Sequence, residues 1–496
     1  MRHKLAALIA IAALGAIAWY LPGLRRTVIR AIVTYDAPPT APAPLPGGTG
    51  PGLGRVARTR VVVVDGLAKA TAQGLPAWKA LCDRGTRFDV EVGFPTVSLP
   101  VEVSLWTGLT QQQTGVVYRS GRPLVPPLGT TGIPAQIAGS HAVAESHGYI
   151  VRSLGFHVVE PAADPAKPGK DAAPELWAKA WKERANAAVQ SPASLVFVHL
   201  LGVDTAGHKH GMGAEYARMA SEADATLAAL HALDPGARWF LLSDHGHLAG
   251  GGHGGEEAHV RQVEGCIVGP GVAVAKGGLV HVVDIARAIA DSTGATLDPA
   301  SRGRPLSAAL VAPLAPDQGL PAMPLGAGAL AIFIIVAGLA LSSWGVRRWW
   351  LAPWWFVVAI ASLVVIRELP SLSTPMIYKP EGRDMYLTWL PALLVAVVAT
   401  TFGLSRMPLL RVLVAQLALP FAAAAAAITA SGAWSTVLGA EVAPVVPKFT
   451  AWMSPLILLA AHGAAAVALG VLARVVLRSF GRSSPAEPPR SAPADA

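Results

Sequence analysis

Four short stretches of this sequence put carboxylates, imidazoles and hydroxyls where an apolar run gives way to a turn. Asp65 ends Arg60-Val-Val-Val-Val-Asp65-Gly66, and Thr96 and Ser98 lie in Pro95-Thr96-Val97-Ser98 ahead of a helix-like stretch that stops at Thr107-Gly108. Asp204 and His208 lie in Val203-Asp204-Thr-Ala-Gly-His208-Lys-His210-Gly211. Asp244 and His245 lie in Ser243-Asp244-His245-Gly246-His247, and His253 follows in Gly250-Gly-Gly-His253-Gly-Gly255. A carboxylate and an imidazole at i and i+4 share one face of a helical turn and can converge on a zinc-like cation. A hydroxyl ahead of a helix either caps it or serves as a nucleophile whose phosphorylated form the first-turn amides stabilise. A single strand-end Asp often does no more than cap the next helix. Four such strand ends together supply three aspartates and three histidines, enough for two cations with positions left open for substrate and nucleophile. His199 and His210 are assigned to packing or support, and His247 and His259 to the surface or to the layer behind the ligands.

These groups need a scaffold that brings strand ends together. From Arg55 to about Pro313, short apolar runs such as Leu195-Val-Phe-Val-His-Leu and Arg238-Trp-Phe-Leu-Leu alternate with helical stretches. That alternation predicts βαβ units, an α/β fold and a largely parallel sheet. In such sheets ligands bind outside the carboxyl ends of the strands, where the Asp and His residues fall. The glycines around His253 allow its backbone a close approach. The segment from His141 to Asp171, with Glu145, His147 and Arg152, is expected to overhang the site and to carry specificity, without roles assigned to those three.

The rest of the chain has a different composition. Over 496 residues, 52% are hydrophobic and only 14% charged, with a mean hydropathy of +0.45. A soluble enzyme carries roughly a quarter charged residues, so a wholly soluble or disordered chain is excluded. An apolar run from Leu5 to Leu21 follows Arg2, His3 and Lys4, as in a signal anchor or a cleavable signal peptide. Arg25, Arg26 and Arg30 favour the anchor, placed at 1–35. A Pro/Gly-rich linker at 36–54 and a domain at 55–313 come next. Five apolar runs near the span length then occupy 325–478, at about 326–345, 349–366, 386–404, 408–430 and 453–473. Arg347 and Arg348, Arg406 and Arg411, and Arg474, Arg478 and Arg482 fall on one side if the runs cross alternately. The C-terminal side is then cytoplasmic and the 55–313 domain extracytoplasmic. Residues 483–496 form a polar, Pro-rich tail, expected to be disordered. The net charge of +9 lies largely in these Arg-rich flanks, so a nucleic acid polymer is not an expected partner. Within the runs His462 is one exception to a near lack of ionisable groups and Arg411 sits close enough to an end to snorkel, which argues for an anchor or lipid-facing platform and against a transporter. The two cysteines, Cys82 and Cys266, allow one bridge, but two buried free thiols are the expectation.

The order VVVVDG, PTVSLP with TG beyond it, VDTAGHKHG, SDHG and GGHGG resembles the alkaline phosphatase superfamily. The nearest branch is similar to the type I phosphodiesterase/nucleotide pyrophosphatase group, with the membrane-bound ethanolamine-phosphate transferases as near relatives. The resemblance covers about 58–312. It implies a three-layer α/β/α sandwich and two divalent ions, zinc or manganese. One ion would be held by Asp204, His208 and His253, the other by Asp65, Asp244 and His245. It places the nucleophile on Ser98, or on Thr96 if the loop is shifted by two. Asp284-Ile-Ala and Gly303-Arg304-Pro305-Leu306 look like the family's closing segment. The chain departs from the group at Leu99-Pro100-Val101-Glu102, where Phe-Pro-Asn-His is typical, and at Arg119, where an Asn would stand. Glu102 also occupies the place of a sulfatase's Arg. The expectation is a membrane-anchored enzyme that cleaves phosphodiesters or phosphomonoesters through a phosphoserine. Its substrate would be a phosphoester, lipid or envelope-derived, met at membrane lipid. The alternatives are a phosphoethanolamine-type transferase acting on lipid or glycan, and a degenerate binding or scaffold module.

Overall fold

The computed structural model describes residues 45, 50–116, 124, 132–145, 148–161, 174–254 and 257–315. The expected anchor at 1–35, most of the linker, the helices at 325–478, the tail, Arg119 and His147 lie outside the described residues. Among the described residues, no helix is long and apolar enough to cross a membrane.

Eight strands form one sheet: β1 Thr59–Val64, β2 Thr86–Glu91, β3 His141–Ala144, β4 Val158–Glu160, β5 Leu195–Leu200, β6 Arg238–Leu242, β7 Gln262–Val268 and β8 Ala275–His281. Their order is β4-β3-β5-β1-β6-β7-β2-β8. β7 runs antiparallel to β6 and β2, and the other neighbours pair in parallel. The sheet is therefore largely parallel, as expected, with one reversed strand. Every residue of β1, β5 and β6 is buried. Strands covered on both faces read as unbroken apolar runs, which is why the valines of β1 do not alternate with polar residues.

Successive side chains of β1 enter different cores. Val61 and Val63 join Leu99, Val103 and Trp106 of helix α1 (Ser98–Thr107) and Val283, Ile285 and Ile289 of a later helix at Val282–Thr293. Val62 and Val64 join Trp78, Trp181, Val203 and Ala206, and Tyr216, Ala220 and Leu227 of the helix Ala214–Leu233. Helices thus cover both faces of the sheet, the three-layer arrangement. Near the C-terminal end of the described residues, Arg304 donates from Nη2 to Asp284 Oδ2 at 2.7 Å and from its backbone N to Asp284 Oδ1 at 2.7 Å. That joins the two halves of the closing segment. The last linker residues also touch the domain: Leu53 N donates to Asp291 Oδ2, and Gly54 O accepts from Arg238.

The cysteines correct the expectation of free thiols. Cys82, at the end of the helix Pro76–Cys82, is bonded to Cys266 on β7 across a separation of 184 residues. Such a bridge restricts the unfolded chain and stabilises the fold by roughly 2–5 kcal/mol. Replacing both cysteines by alanine should accordingly lower the thermal midpoint of the purified protein. An unchanged midpoint would show that the bridge contributes nothing to stability.

Candidate active site

β5, β1 and β6 lie side by side with Val64 level with Leu200 and Val63 level with Leu242. Their carboxyl ends are therefore flush, and the residues that follow converge. Asp65 leaves β1 with its N–H on Leu200 O at 2.8 Å. Gly66 turns the chain at φ +71°, and its N–H donates to Asp244 Oδ1 at 3.0 Å. The Tyr216 hydroxyl clamps this turn, donating to Gly66 O at 2.7 Å and accepting from Ala68 N at 2.8 Å. After β5 the helix α2 (Gly202–His210) carries Asp204 and His208 on one face, with His208 Nε2 3.2 Å from Asp204 Oδ1.

Ser98 opens α1, but it does not cap it: the cap position is Val97, and it makes no side-chain cap bond. The Ser98 hydroxyl turns to the site, 3.4 Å from Asp65 Oδ1 and 3.3 Å from His245 Nε2. Thr96, the alternative nucleophile, is buried, and its Oγ1 accepts from Gly254 N at 2.9 Å while its carbonyl lies 2.7 Å from His253 Nδ1. Thr96 therefore braces the glycine-rich loop, and Ser98 is the hydroxyl that faces the carboxylates.

The six sequence-derived donors form two groups. Asp204, His208 and His253 make one and Asp65, Asp244 and His245 the other, each with donor atoms within 4.8 Å of one another. In the first, His208 Nε2 and His253 Nε2 are 3.0 Å apart, and in the second His245 Nε2 is 3.3 Å from Asp65 Oδ1 and 3.4 Å from Asp244 Oδ2. The His245 and His253 rings stack at 3.6 Å between centroids, so the groups are adjacent.

The electrostatics are those of crowded, buried charge. Burial pushes the Asp65 carboxyl up, but His199 and His245 outweigh it and hold the group well below the usual range. Burial and the Asp65 charge also raise Asp204, which His208, His247 and His253 bring down overall. Asp244 is pushed up by burial and by Asp65. His253 is held well below the ordinary imidazole range by burial and by the charges of His245 and His208. Asp65 Oδ2 and Asp244 Oδ2 are buried and accept no hydrogen bond. Unsatisfied buried carboxylate oxygens are costly. Together with a donor set of three carboxylates and three imidazoles, they fit two divalent cations.

His199 takes the supporting place expected of it, while Glu102 and Glu145 were not assigned such places from sequence. His199 is buried with Nε2 2.8 Å from Glu102 Oε1 and 3.3 Å from Asp65 Oδ2, so it stands behind a donor rather than among the six. Glu102, four residues after Ser98 on α1, is fully buried beside it, and burial raises its carboxyl. The i,i+4 spacing from Ser98 was the signal for Glu102. Glu145 Oε2 accepts from Leu201 N at 2.7 Å and Gly202 N at 2.8 Å, capping α2 from another element. His247 is fully buried and lies 2.9 Å from Asp204 Oδ1, which corrects the surface alternative; His259 is exposed, and so is His210, which corrects its assignment to packing or support.

Fold and site together define an α/β protein whose parallel sheet edge gathers two metal-type donor groups around one serine. No protein-family model matches the chain, and no curated protein matches it. Among solved structures it is similar to murine ectonucleotide pyrophosphatase/phosphodiesterase 5, with 14% identity over 49% of this chain and 96% of that one, at a TM-score of 0.38. It is similar to a 2-O GAG sulfatase, BT1596, with 15% identity over 53% and 76% at 0.39. It is similar also to a protein in the alkaline phosphatase superfamily from Vibrio parahaemolyticus, with 14% identity over 59% and 78% at 0.38. The last of these is by its own description a member of the alkaline phosphatase superfamily.

Proposed function

We propose that this chain is a membrane-anchored, metal-dependent phosphoryl-transfer enzyme that cleaves phosphoesters, diesters foremost, through a covalent phosphoserine on Ser98. The observation that carries the reading is the position of the Ser98 hydroxyl, within 3.4 Å of a carboxylate and an imidazole of one donor group. A degenerate binding module has no reason to keep a nucleophile and six donors convergent in this way.

Asp204, His208 and His253 would hold one divalent ion, and Asp65, Asp244 and His245 the other. Bound zinc or manganese would supply the positive charge that favours a serine alkoxide and neutralises phosphoryl oxygens. The chain's own residues set the rest. Asp65 Oδ1 accepts from the Ser98 hydroxyl and aims it. The Ser98 hydroxyl gives up its proton, Oγ bonds to phosphorus as the bond to the ester's leaving oxygen breaks, and that oxygen leaves as an alcohol after taking a proton, giving a phosphoserine. The first-turn amides of α1 favour the negative charge gained there. Water, or a second hydroxyl acceptor, then attacks phosphorus and frees Ser98. The nature of that acceptor separates hydrolysis from transfer to a lipid or glycan.

The domain would work outside the cytoplasm. The Arg clusters beside the C-terminal apolar runs support that placement, and so does the Cys82–Cys266 bridge, since disulfides persist in oxidising compartments.

The test is a chromogenic phosphodiester offered beside its monoester, with zinc or manganese, followed by acid quenching and mass analysis. The expected result is faster cleavage of the diester and a phosphate adduct on the peptide containing Ser98. Turnover with no adduct on that peptide in a rapid quench, and an adduct elsewhere, would overturn the nucleophile. Faster cleavage of the monoester would make the protein a phosphatase. Two bound metals with neither ester cleaved would point to a transferase needing its own acceptor.

A further inference from the structure

His247, like His199 behind Asp65, is an imidazole in contact with a donor that neither donor group uses. Its ring is fully buried, and two glycines make the space for it. A Cβ on Gly66 would come within 2.8 Å of His247 Nε2, and one on Gly207 within 2.6 Å. The ring meets Tyr216 edge-on at 5.9 Å, His208 at 5.1 Å and His253 at 5.4 Å between centroids. Both nitrogens have partners. Gly252 N–H donates to Nδ1 at 3.2 Å, and Nε2 lies 2.9 Å from Asp204 Oδ1. An N–H pointing at Nδ1 assigns the ring proton to Nε2, so Nε2 donates to the carboxylate.

The same pattern decides against His247 as a ligand, although Asp204, His245 and His247 lie close enough to form a third donor group. A neutral imidazole bound to a cation through Nε2 would carry its proton on Nδ1. There it would meet the N–H of Gly252. The local chain reinforces this geometry. Leu248 N donates to Gly252 O at 3.0 Å and Gly251 N to Leu248 O at 2.8 Å, closing a tight turn between His247 and His253. Gly251 and Gly252 have φ of +92° and +98°, which glycine alone adopts readily.

We infer that His247 is a positioning residue that locks the Asp204 carboxylate to the His253 loop, and so sets the cation affinity of the Asp204, His208 and His253 group alone. This rests on the metal-dependent reading above. Partners behind a ligand commonly change metal affinity by about 10–100-fold when removed. The ligand here is the carboxylate, and the imidazole is its support.

The experiment is competitive zinc titration of the full-length, detergent-solubilised protein against a chromophoric chelator, resolving two sites. His247→Leu, which fills the space without a donor, should weaken one site by about 10–100-fold and leave the other unchanged. His247→Gln offers an amide N–H near the place of Nε2 and should restore that site to within a few-fold of wild type. The thermal midpoints of the metal-free Leu and Gln variants should agree, so that the difference in affinity is not a difference in folding. Where the leucine variant does not fold, His247→Met serves as the second apolar replacement. If wild type binds two cations and the apolar variants bind both as tightly, or if glutamine is as weak as leucine, this inference falls and the metal-dependent reading stands. If wild type binds no cation, that reading falls and takes the inference with it.

Discussion

Ser98→Ala should lower kcat/KM on a chromogenic phosphodiester by roughly 10⁴-fold or more, while the protein keeps both cations. The size of the effect follows from what the hydroxyl does. Its oxygen is the atom that would bond to phosphorus, and no neighbouring hydroxyl stands in the same place. Thr96 Oγ1 is the nearest in sequence, but it is buried and accepts from Gly254 N. The substitution removes one oxygen from a partly exposed position and leaves Asp65, Asp244 and His245 in place, so cation content should not change. Ser98→Thr retains the hydroxyl and should lose far less. Kinetics on the three proteins, each with its metal content measured, gives the answer. Wild-type turnover by the alanine variant would remove Ser98 from the mechanism and with it the phosphoserine. Loss of cations together with turnover would mean that Ser98 holds the site and does not attack.

The parts legible in the sequence were those that local physics dictates. A run of four valines ended by Asp65-Gly66 can be a buried parallel strand, and flush strand ends place Asp65, Asp204 and Asp244 together. Asp204 and His208 share a helix face because they are four apart. What was less legible depends on the third dimension. In Asp244-His245-Gly246-His247 both imidazoles have the same type and nearly the same position. Only the turn that brings Gly252 N–H to Nδ1 separates the hydrogen-bonded imidazole of His247 from the imidazole of His245 in the donor group. The pairing of Cys82 with Cys266 depends on β7 lying beside β2 and near the helix Pro76–Cys82, and on its antiparallel direction, neither of which residue spacing carries. Glu102 stood out as a departure from the resembled pattern. Its partner His199 lies on β5, a different element, and so the buried pair behind Asp65 appears only once β1 and β5 are adjacent.

Asp65→Asn should reduce bound metal from two ions per chain to one and lower turnover by about 10³-fold or more. Asp65 is the group on which the site's charges meet. Its Oδ1 lies 3.3 Å from His245 Nε2 and accepts from Ser98 at 3.4 Å, and its Oδ2 lies 3.3 Å from His199 Nε2 without accepting a hydrogen bond. Asparagine keeps the shape and removes the charge. It leaves the first donor group intact, because Asp204, His208 and His253 do not include it. On the proposed reading the loss would therefore fall on the cation that Asp244 and His245 would help to hold beside Ser98. Several kcal/mol of charge stabilisation of the transition state then go missing, and at about 1.4 kcal/mol per tenfold this is a factor of a thousand or more. Asp204→Asn provides the complementary case, since it should empty the other group and leave the cation beside Ser98 in place. Metal counting on both variants distinguishes two independent sites from one shared site. Two ions retained by Asp65→Asn with wild-type turnover would show that Asp65 binds none, and a loss of both ions in each variant would show that the groups bind as one cluster.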